Sequence, residues 1–220
     1  MSIRPYGPAG VYTDGRELYT RNIVPGVAVY GEPLVREGVV EYRLWDPHRS
    51  KLAAFLRRGG SEFPFASSSR VLYLGAASGT TASHLSDICA NGSVCAVELS
   101  RRVFDKLLRV AGQRPNLVPI MADAAKPESY RGIVGPPVDV VYQDVAQPEQ
   151  DAIFLRNLEM LRDHGVGFLA VKARSVDVSA RPAAVFEATR RALERAGCHV
   201  RDVRSLHPFQ RDHAMVVVER

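Results

Sequence analysis

From Arg70 onward the sequence settles into a rhythm in which short continuous apolar runs alternate with segments of helical periodicity. Strands buried on both faces read as continuous apolar runs, and parallel strands need a crossover of about a dozen residues or more between them. The rhythm therefore points to an α/β fold built from βαβ units. Strands are expected over Val71–Leu74, Ser93–Glu98, Leu117–Met121, Val138–Gln143, Gly167–Lys172, His199–Leu206 and Ala214–Glu219. Helices are expected over Thr81–Cys89, Arg101–Gly112, Glu149–Asp163 and about Ala180–Ala196, the last ended by Gly197. Only seven residues separate the last two strands, too few for a parallel crossover, so these two should pair antiparallel. The expected result is a seven-stranded, mostly parallel sheet with one antiparallel strand beside its C-terminal edge.

The first 48 residues break that rhythm. Turn signals at Thr13-Asp14-Gly15, Pro25-Gly26 and Tyr30-Gly31-Glu32-Pro33 separate β-prone pieces such as Val27–Tyr30 and Val39–Tyr42. This predicts a small antiparallel β-rich domain over residues 1–48, ahead of a main domain over 49–220. Ser50 is placed to cap a helix through Lys51–Arg57, which Gly59-Gly60 ends.

Composition excludes several classes. The chain is 46% hydrophobic and 24% charged, with no apolar run near the roughly 20 residues that cross a bilayer, so no membrane partner is expected. Its first residues, Met1–Gly7, lack the apolar core of a secretory signal, which predicts a cytoplasmic location. Cys89, Cys95 and Cys198 show no metal-ligand spacing and read as small buried hydrophobes; no metal site is expected. The net charge of +5 is compatible with an anionic partner such as RNA without demonstrating one.

In an open α/β sheet, ligands bind beyond the carboxyl ends of the strands, where strand order reverses. The first strand runs into Gly75-Ala76-Ala77-Ser78-Gly79-Thr80-Thr81 and then directly into a helix. This turn lacks both the G-x-G-x-x-G dinucleotide pattern and the Lys-Ser/Thr pair of a P-loop, so a pyrophosphate cradle is disfavoured. Glycines at such a turn serve ligand approach or mere close packing. Glu98 ends the next strand, 19 residues after Gly79, where a carboxylate can accept from both hydroxyls of a ribose, or simply favour the N-terminus of the following helix. Asp123 follows the third strand and Asp144 the fourth. Gly, Glu, Asp and Asp at four successive strand tips make a nucleoside-binding constellation without a phosphate site. S-adenosylmethionine fits it, because its adenosine needs such carboxylates and its sulfonium is positive.

Lys172 ends an apolar strand, and Lys51 sits in the first turn of a helix, where the dipole disfavours a cation. Both can be surface side chains whose ammonium groups reach water. If both line one cleft instead, they disfavour each other's charge, and one as the neutral amine can take a proton near neutral pH. Asp144 is placed to orient such a lysine. His207, Asp212 and His213 cluster around the final loop.

Four stretches, Tyr42–Ala54, Tyr73–Thr81, Asp139–Pro148 and Arg211–Ala214, resemble the fibrillarin family in its short archaeal form. The resemblance implies a Rossmann-like S-adenosylmethionine-dependent methyltransferase fold and 2′-O-methylation of RNA ribose in rRNA and tRNA. It places cofactor contacts at the turn of Gly75 and Gly79 and at Thr80, Thr81, Glu98, Leu99, Asp123, Ala124, Asp144, Val145, Ala146 and Gln147. It also implies a Lys-Asp-Lys-His type tetrad at Lys51, Asp144, Lys172 and His213, with Asp212 as the alternative to His213. The partners implied are a C/D box guide RNA, a Nop-family scaffold protein and a kink-turn-binding ribosomal-like protein. Targeting by a Gly/Arg-rich tail like that of the eukaryotic members is not expected. Asp46 and His48, and the order Ala77-Ser78, depart from the common motif without removing a catalytic group. Two rival readings stand beside this one: a stand-alone methyltransferase acting on a small molecule or protein, and a non-catalytic ribonucleoprotein subunit.

Overall fold

The computed structural model describes residues 2–220. Five short strands, β1 (Arg4–Pro5), β2 (Val11–Thr13), β3 (Leu18–Arg21), β4 (Leu34–Glu37) and β5 (Val40–Leu44), form an antiparallel sheet in the order β1-β2-β3-β5-β4. Asp14 closes the β2–β3 turn, its Oδ1 accepting from the amides of Arg16 and Glu17 at 2.8 Å each. A short acidic side chain that bonds its own backbone a few residues on stabilises such a turn.

One expected strand is missing. Val27–Tyr30 is a loop, despite its β-branched composition. The amides of Val29 and Tyr30 donate to the Glu32 carboxylate at 2.9 and 2.8 Å, so the donors that a ladder would use are taken by a side chain. The expected Val39–Tyr42 strand is shifted to β5, because Gly38, at φ +60°, turns the chain and leaves Val39 in solvent.

Helix α1 (Lys51–Arg57) begins where Ser50 caps it and ends two residues before Gly59, at φ +80°. The alternation then runs β6 (Arg70–Leu74), α2 (Thr80–Ile88), β7 (Ser93–Glu98), α3 (Arg101–Ala111), β8 (Leu117–Met121), α4 (Arg131–Val134), β9 (Val138–Gln143), α5 (Gln150–Asn157) and β10 (Leu161–Lys172). It finishes with α6 (Ala173–Val176), α7 (Pro182–Arg195), β11 (His199–Ser205) and β12 (His213–Glu219). The sheet order is β11-β12-β10-β9-β6-β7-β8, and β12 runs antiparallel to both of its neighbours.

The helix expected over Glu149–Asp163 is too long. It stops at Asn157, passes through one 3-10 turn, and gives way at Leu161 to a strand that begins six residues before the expected one. Apolar Leu158, Met160 and Leu161 continue the helical spacing, but they are buried because the chain is already entering the sheet, where Leu161 pairs with Val138. A register break follows, with His164 at φ +56°, before regular pairing resumes at Val166.

Both faces of the main sheet are covered, which is why its strands are apolar throughout. Along β6, Val71 and Tyr73 pack toward α1, α2 and α3, while Leu72 and Leu74 pack toward α4, α5 and α7. Val11 and Leu18 of the small sheet join the first of these cores. After β8 the chain crosses β7 and β6 to place β9 on the far side, so strand order reverses between β6 and β9. The open crevice lies beyond the carboxyl ends of those two strands.

Candidate active site

Gly75 follows β6 and Asp144 follows β9, and the two tips are tied together by the Asp144 amide, which donates to the Leu74 carbonyl at 2.8 Å. A Cβ on Gly75 would lie 2.5 Å from the Asp144 carbonyl oxygen, and one on Gly79 would lie 3.1 Å from Leu107. Close packing of strand tip on strand tip and of turn on helix thus accounts for both glycines.

Two cavities open on either side of this junction. The first, about 570 Å³, is walled by Val97, Leu99, Val103 and Val145, with Glu98 and Asp144 as its acids. Ala124, Ala146 and Gln147 line it too. Glu98 is held by two backbone donors, the Ala77 amide on Oε2 at 2.9 Å and the Ser100 amide on Oε1 at 2.7 Å. A carboxylate has about four acceptor sites, so each oxygen keeps one for a ligand hydroxyl. Ala77 makes its contact from φ +48°, a left-handed conformation that costs a non-glycine residue about 1–3 kcal/mol. A pocket of this size with apolar walls and two oriented carboxylates fits S-adenosylmethionine: ribose on Glu98, flat apolar surface for adenine, and a negative group near a sulfonium.

The second cavity, about 460 Å³, collects Lys51, Lys172, His213, Thr80, Thr81 and Arg49. Lys51 Nζ donates to Asp144 Oδ2 at 2.9 Å, and each side chain is 20% exposed. Lys172 and His213 face each other as paired residues of β10 and β12, which puts both side chains on one face of the sheet. His213 Nδ1 lies 2.6 Å from the Arg211 carbonyl, which can only accept, so Nδ1 carries the hydrogen and Nε2 is left with the lone pair. Burial lowers the His213 pKa, with the Lys51 and Lys172 charges adding to the effect against the Arg211 hydrogen bond and Asp144. Neutral imidazole is therefore the favoured form near pH 7.

The two cavities share Gly75, Ala77, Asp144, Val145 and Ala146. The expected residues divide between them, with three outside. Gly79 lines neither. Asp123 turns its Oδ1 back to the Ala125 amide at 2.9 Å and lines neither. Asp212 also stays outside, at φ +57°, with its carboxylate 3.4 Å from Arg174.

Sequence reasoning missed the support behind Lys172. Buried Gln150 grips its backbone on both sides: Oε1 accepts from the Lys172 amide at 3.1 Å, and Nε2 donates to its carbonyl at 3.3 Å. Gln143 Nε2 in turn donates to the Gln150 carbonyl at 2.6 Å. Gln143, a polar residue at the buried end of β9, was the signal available. Arg49 and Tyr73 were also missed as lining residues.

A doubly covered sheet with this strand order and a nucleoside-shaped cavity at its switch point defines the Rossmann-like S-adenosylmethionine-dependent methyltransferases. Within that class the chain belongs to the fibrillarin family, whose model matches residues 8–220. A fibrillarin-like rRNA/tRNA 2′-O-methyltransferase of Methanopyrus kandleri is 48% identical over 212 residues, covering 95% of this chain and 91% of the relative. The crystal structure of Aeropyrum pernix fibrillarin with natively bound S-adenosyl-L-methionine superposes with a TM-score of 0.90 at 46% identity, covering 99% of this chain and 98% of that one. A fibrillarin in complex with Nop5p superposes with a TM-score of 0.89 at 40% identity, covering 98% of this chain and 100% of the other.

Proposed function

We propose that this chain is an S-adenosylmethionine-dependent RNA ribose 2′-O-methyltransferase, the catalytic subunit of a C/D box guide ribonucleoprotein acting on rRNA and tRNA. The observation that carries the reading is the junction at Asp144, where a carboxylate-bearing apolar cavity meets a lysine- and histidine-lined cleft through shared walls. Methyl transfer needs that adjacency, with the donor on one side and the accepting hydroxyl on the other.

S-adenosylmethionine supplies the methyl group. Glu98 holds the ribose hydroxyls, the Leu99 side chain and Ala124 flank the base, and Asp123 through Ala124 shapes the far wall. Val145, Ala146 and Gln147 close the near side, while Thr80 and Thr81 border the cleft beyond the turn. Lys172 positions the target 2′-hydroxyl and takes its proton as attack begins. Asp144 orients the site through its pair with Lys51, and neutral His213 offers a second acceptor on the same face. Gln150 fixes the backbone of Lys172, so that its side chain starts from a set point.

A Nop-family scaffold, a guide RNA and a kink-turn-binding protein select the nucleotide. The chain's moderate positive charge and lack of an RNA-reading module support delegation of that choice. The test is reconstitution with guide, target and both partner proteins, reading methyl transfer at the guided nucleotide. Lys172→Ala is expected to lower the transfer rate by about 10²–10⁴ while binding S-adenosylmethionine normally. Full transfer by that variant would overturn the role of Lys172, and efficient transfer without any guide would overturn the assignment to a guided particle.

A further inference from the structure

A third cavity, about 480 Å³, lies beside the catalytic cleft and takes no part in the chemistry described above. One wall is the Val27–Tyr30 loop, and the other is α3 and the chain just after it. Arg49 lines both this cavity and the lysine cleft, and Ser78 of the glycine turn lies at its edge, so the two spaces adjoin. Arg49 is held in place by stacking on Tyr30, with its guanidinium carbon 5.6 Å from the ring centroid.

Every charged group of the lining is a cation. Arg49, Lys106, Arg109 and Arg114 contribute, and no carboxylate does. Among the described residues, Arg49, Lys106 and Arg109 have no carboxylate within 4.0 Å. This sets them apart from Arg101 on the same helix, which pairs with Asp105. Arg114 is 1% exposed and spends its Nη1 on Asp87 at 2.6 Å, but its Nη2 is buried with no hydrogen-bond partner. Buried charged donors are rarely left unmade, so a free guanidinium nitrogen at a cationic cavity points to an anionic acceptor. Arg43 and Arg114 are balanced by Glu32 and Asp87 in the core beneath, so that cluster does not neutralise the three free cations.

We propose that this cavity receives a backbone phosphate of the target RNA strand next to the ribose being methylated, with Lys106, Arg109 and Arg114 as donors and Arg49 as the bridge from the cleft. The inference rests on reading the lysine cleft as an RNA ribose site. A strand whose ribose occupies that cleft carries a phosphate on each side of it, and Arg49 is the first free cation met on leaving the cleft toward α3. Val27, Ala28, Val29 and Val110 give the cavity an apolar side on which a sugar can rest. Phosphate contacts of this kind set the register of a nucleic acid without reading its sequence, which suits an enzyme whose target is chosen by a guide.

The test is the double variant Lys106→Ala/Arg109→Ala. Both side chains are exposed and unpaired, so their removal leaves the core intact. In the reconstituted particle, KM for the target RNA should rise by about tenfold, by more than any change in kcat, and the slope of log KM against log salt should shrink by up to about one. Affinity for S-adenosylmethionine should be unchanged. In parallel, the chain alone is titrated into a fluorescently labelled single-stranded RNA and followed by anisotropy, where the variant should bind more weakly with a shallower salt dependence. That second arm involves no chemistry, so it judges the phosphate site even if the wild-type particle transfers no methyl group. Unchanged RNA binding and salt slope would overturn the proposal. So would displacement of the RNA by equimolar inorganic phosphate, which would make the ligand a free phosphate, or loss of scaffold-protein binding with RNA binding intact, which would make the surface a protein contact.

Discussion

His213 shows how a residue's role depends on surroundings that its sequence neighbours do not reveal. Asp212 and His213 are adjacent in a loop, and the order of residues alone left either free to face the cleft. The structure separates them because β12 begins at His213, whose pairing with Lys172 fixes its face, whereas Asp212 is turned out at φ +57° toward Arg174. The imidazole's pKa is lowered from 6.5, chiefly by burial, so His213 stays neutral above its ordinary range and takes a proton only on going lower. Protonation removes the Nε2 lone pair and adds a positive charge beside Lys51 and Lys172. His213 should therefore add an acid limb to the pH profile of guided methyl transfer only below pH 6.5, and His213→Asn should flatten that limb at a reduced rate. Single-turnover rates across this range check it, and an unchanged limb in the variant would exclude His213 as its source. The place of Glu98 at the end of β7, by contrast, was legible from spacing alone, since the end of a second strand is a fixed place in an α/β fold.

At the scale of elements, the alternating strands and helices were legible because burial on both faces imposes long apolar runs, and six of the seven main strands lie within about a residue of expectation. What failed were segments where a side-chain hydrogen bond or a strand pairing overrides the preference of the residues themselves. The Glu32 carboxylate holds Val27–Tyr30 out of a ladder, and pairing with Val138 draws Leu161 into a strand. The glycine turn was legible as a turn but not for its cause. Gly75 sits at φ +79° with its missing Cβ aimed at the Asp144 carbonyl, 2.5 Å away, so the turn is a spacer between β6 and β9 as much as a path for a ligand. Gly75→Ala must either strain the backbone or push the two tips apart. It should lower stability by about 1–3 kcal/mol and weaken S-adenosylmethionine binding by about tenfold or more. Gly197→Ala is the control, being left-handed at φ +87° with nothing within 4 Å. Its cost should be confined to stability, as read by denaturant unfolding beside calorimetric titration of the cofactor.

Across the whole molecule, the small sheet and the main sheet are joined by a buried polar cluster that sequence periodicity could not show, because its members come from distant segments. Arg43 of β5 donates to Glu32 and Asp87 at 2.7 Å each, and Arg114 donates to the other oxygen of Asp87 at 2.6 Å, with every side chain at most 1% exposed. The Thr20 hydroxyl also donates to Asp87, at 2.8 Å, so its oxygen must accept from His84 Nδ1, 2.7 Å away. Burial and the two arginines drive the His84 pKa well down, which keeps the ring neutral. Its Nε2 faces the Tyr30 hydroxyl 2.9 Å away, whose one proton also has the Leu44 carbonyl within reach at 2.8 Å, while the ring stacks on buried Trp45. Asp87 is thus the counter-charge that Arg43 and Arg114 share. Asp87→Ala would leave buried Arg114 with no carboxylate and Arg43 with Glu32 alone, and breaking a buried pair in this way costs about 3–5 kcal/mol in comparable sites. The exposed pair Arg101–Asp105 offers the contrast, since Asp105→Ala should cost no more than about 1 kcal/mol. Because the small sheet shares both this cluster and the core around Val11 and Leu18, it should unfold with the main sheet in one transition, and Asp87→Ala should shift that transition without splitting it. Coincident denaturation curves from Trp45 fluorescence, reporting near the small sheet, and far-ultraviolet circular dichroism, dominated by the main domain, would bear this out. An early fluorescence step in the wild-type chain would instead show the first 48 residues to be an independent domain, and the ionic cluster to be a docking contact between two separately stable parts.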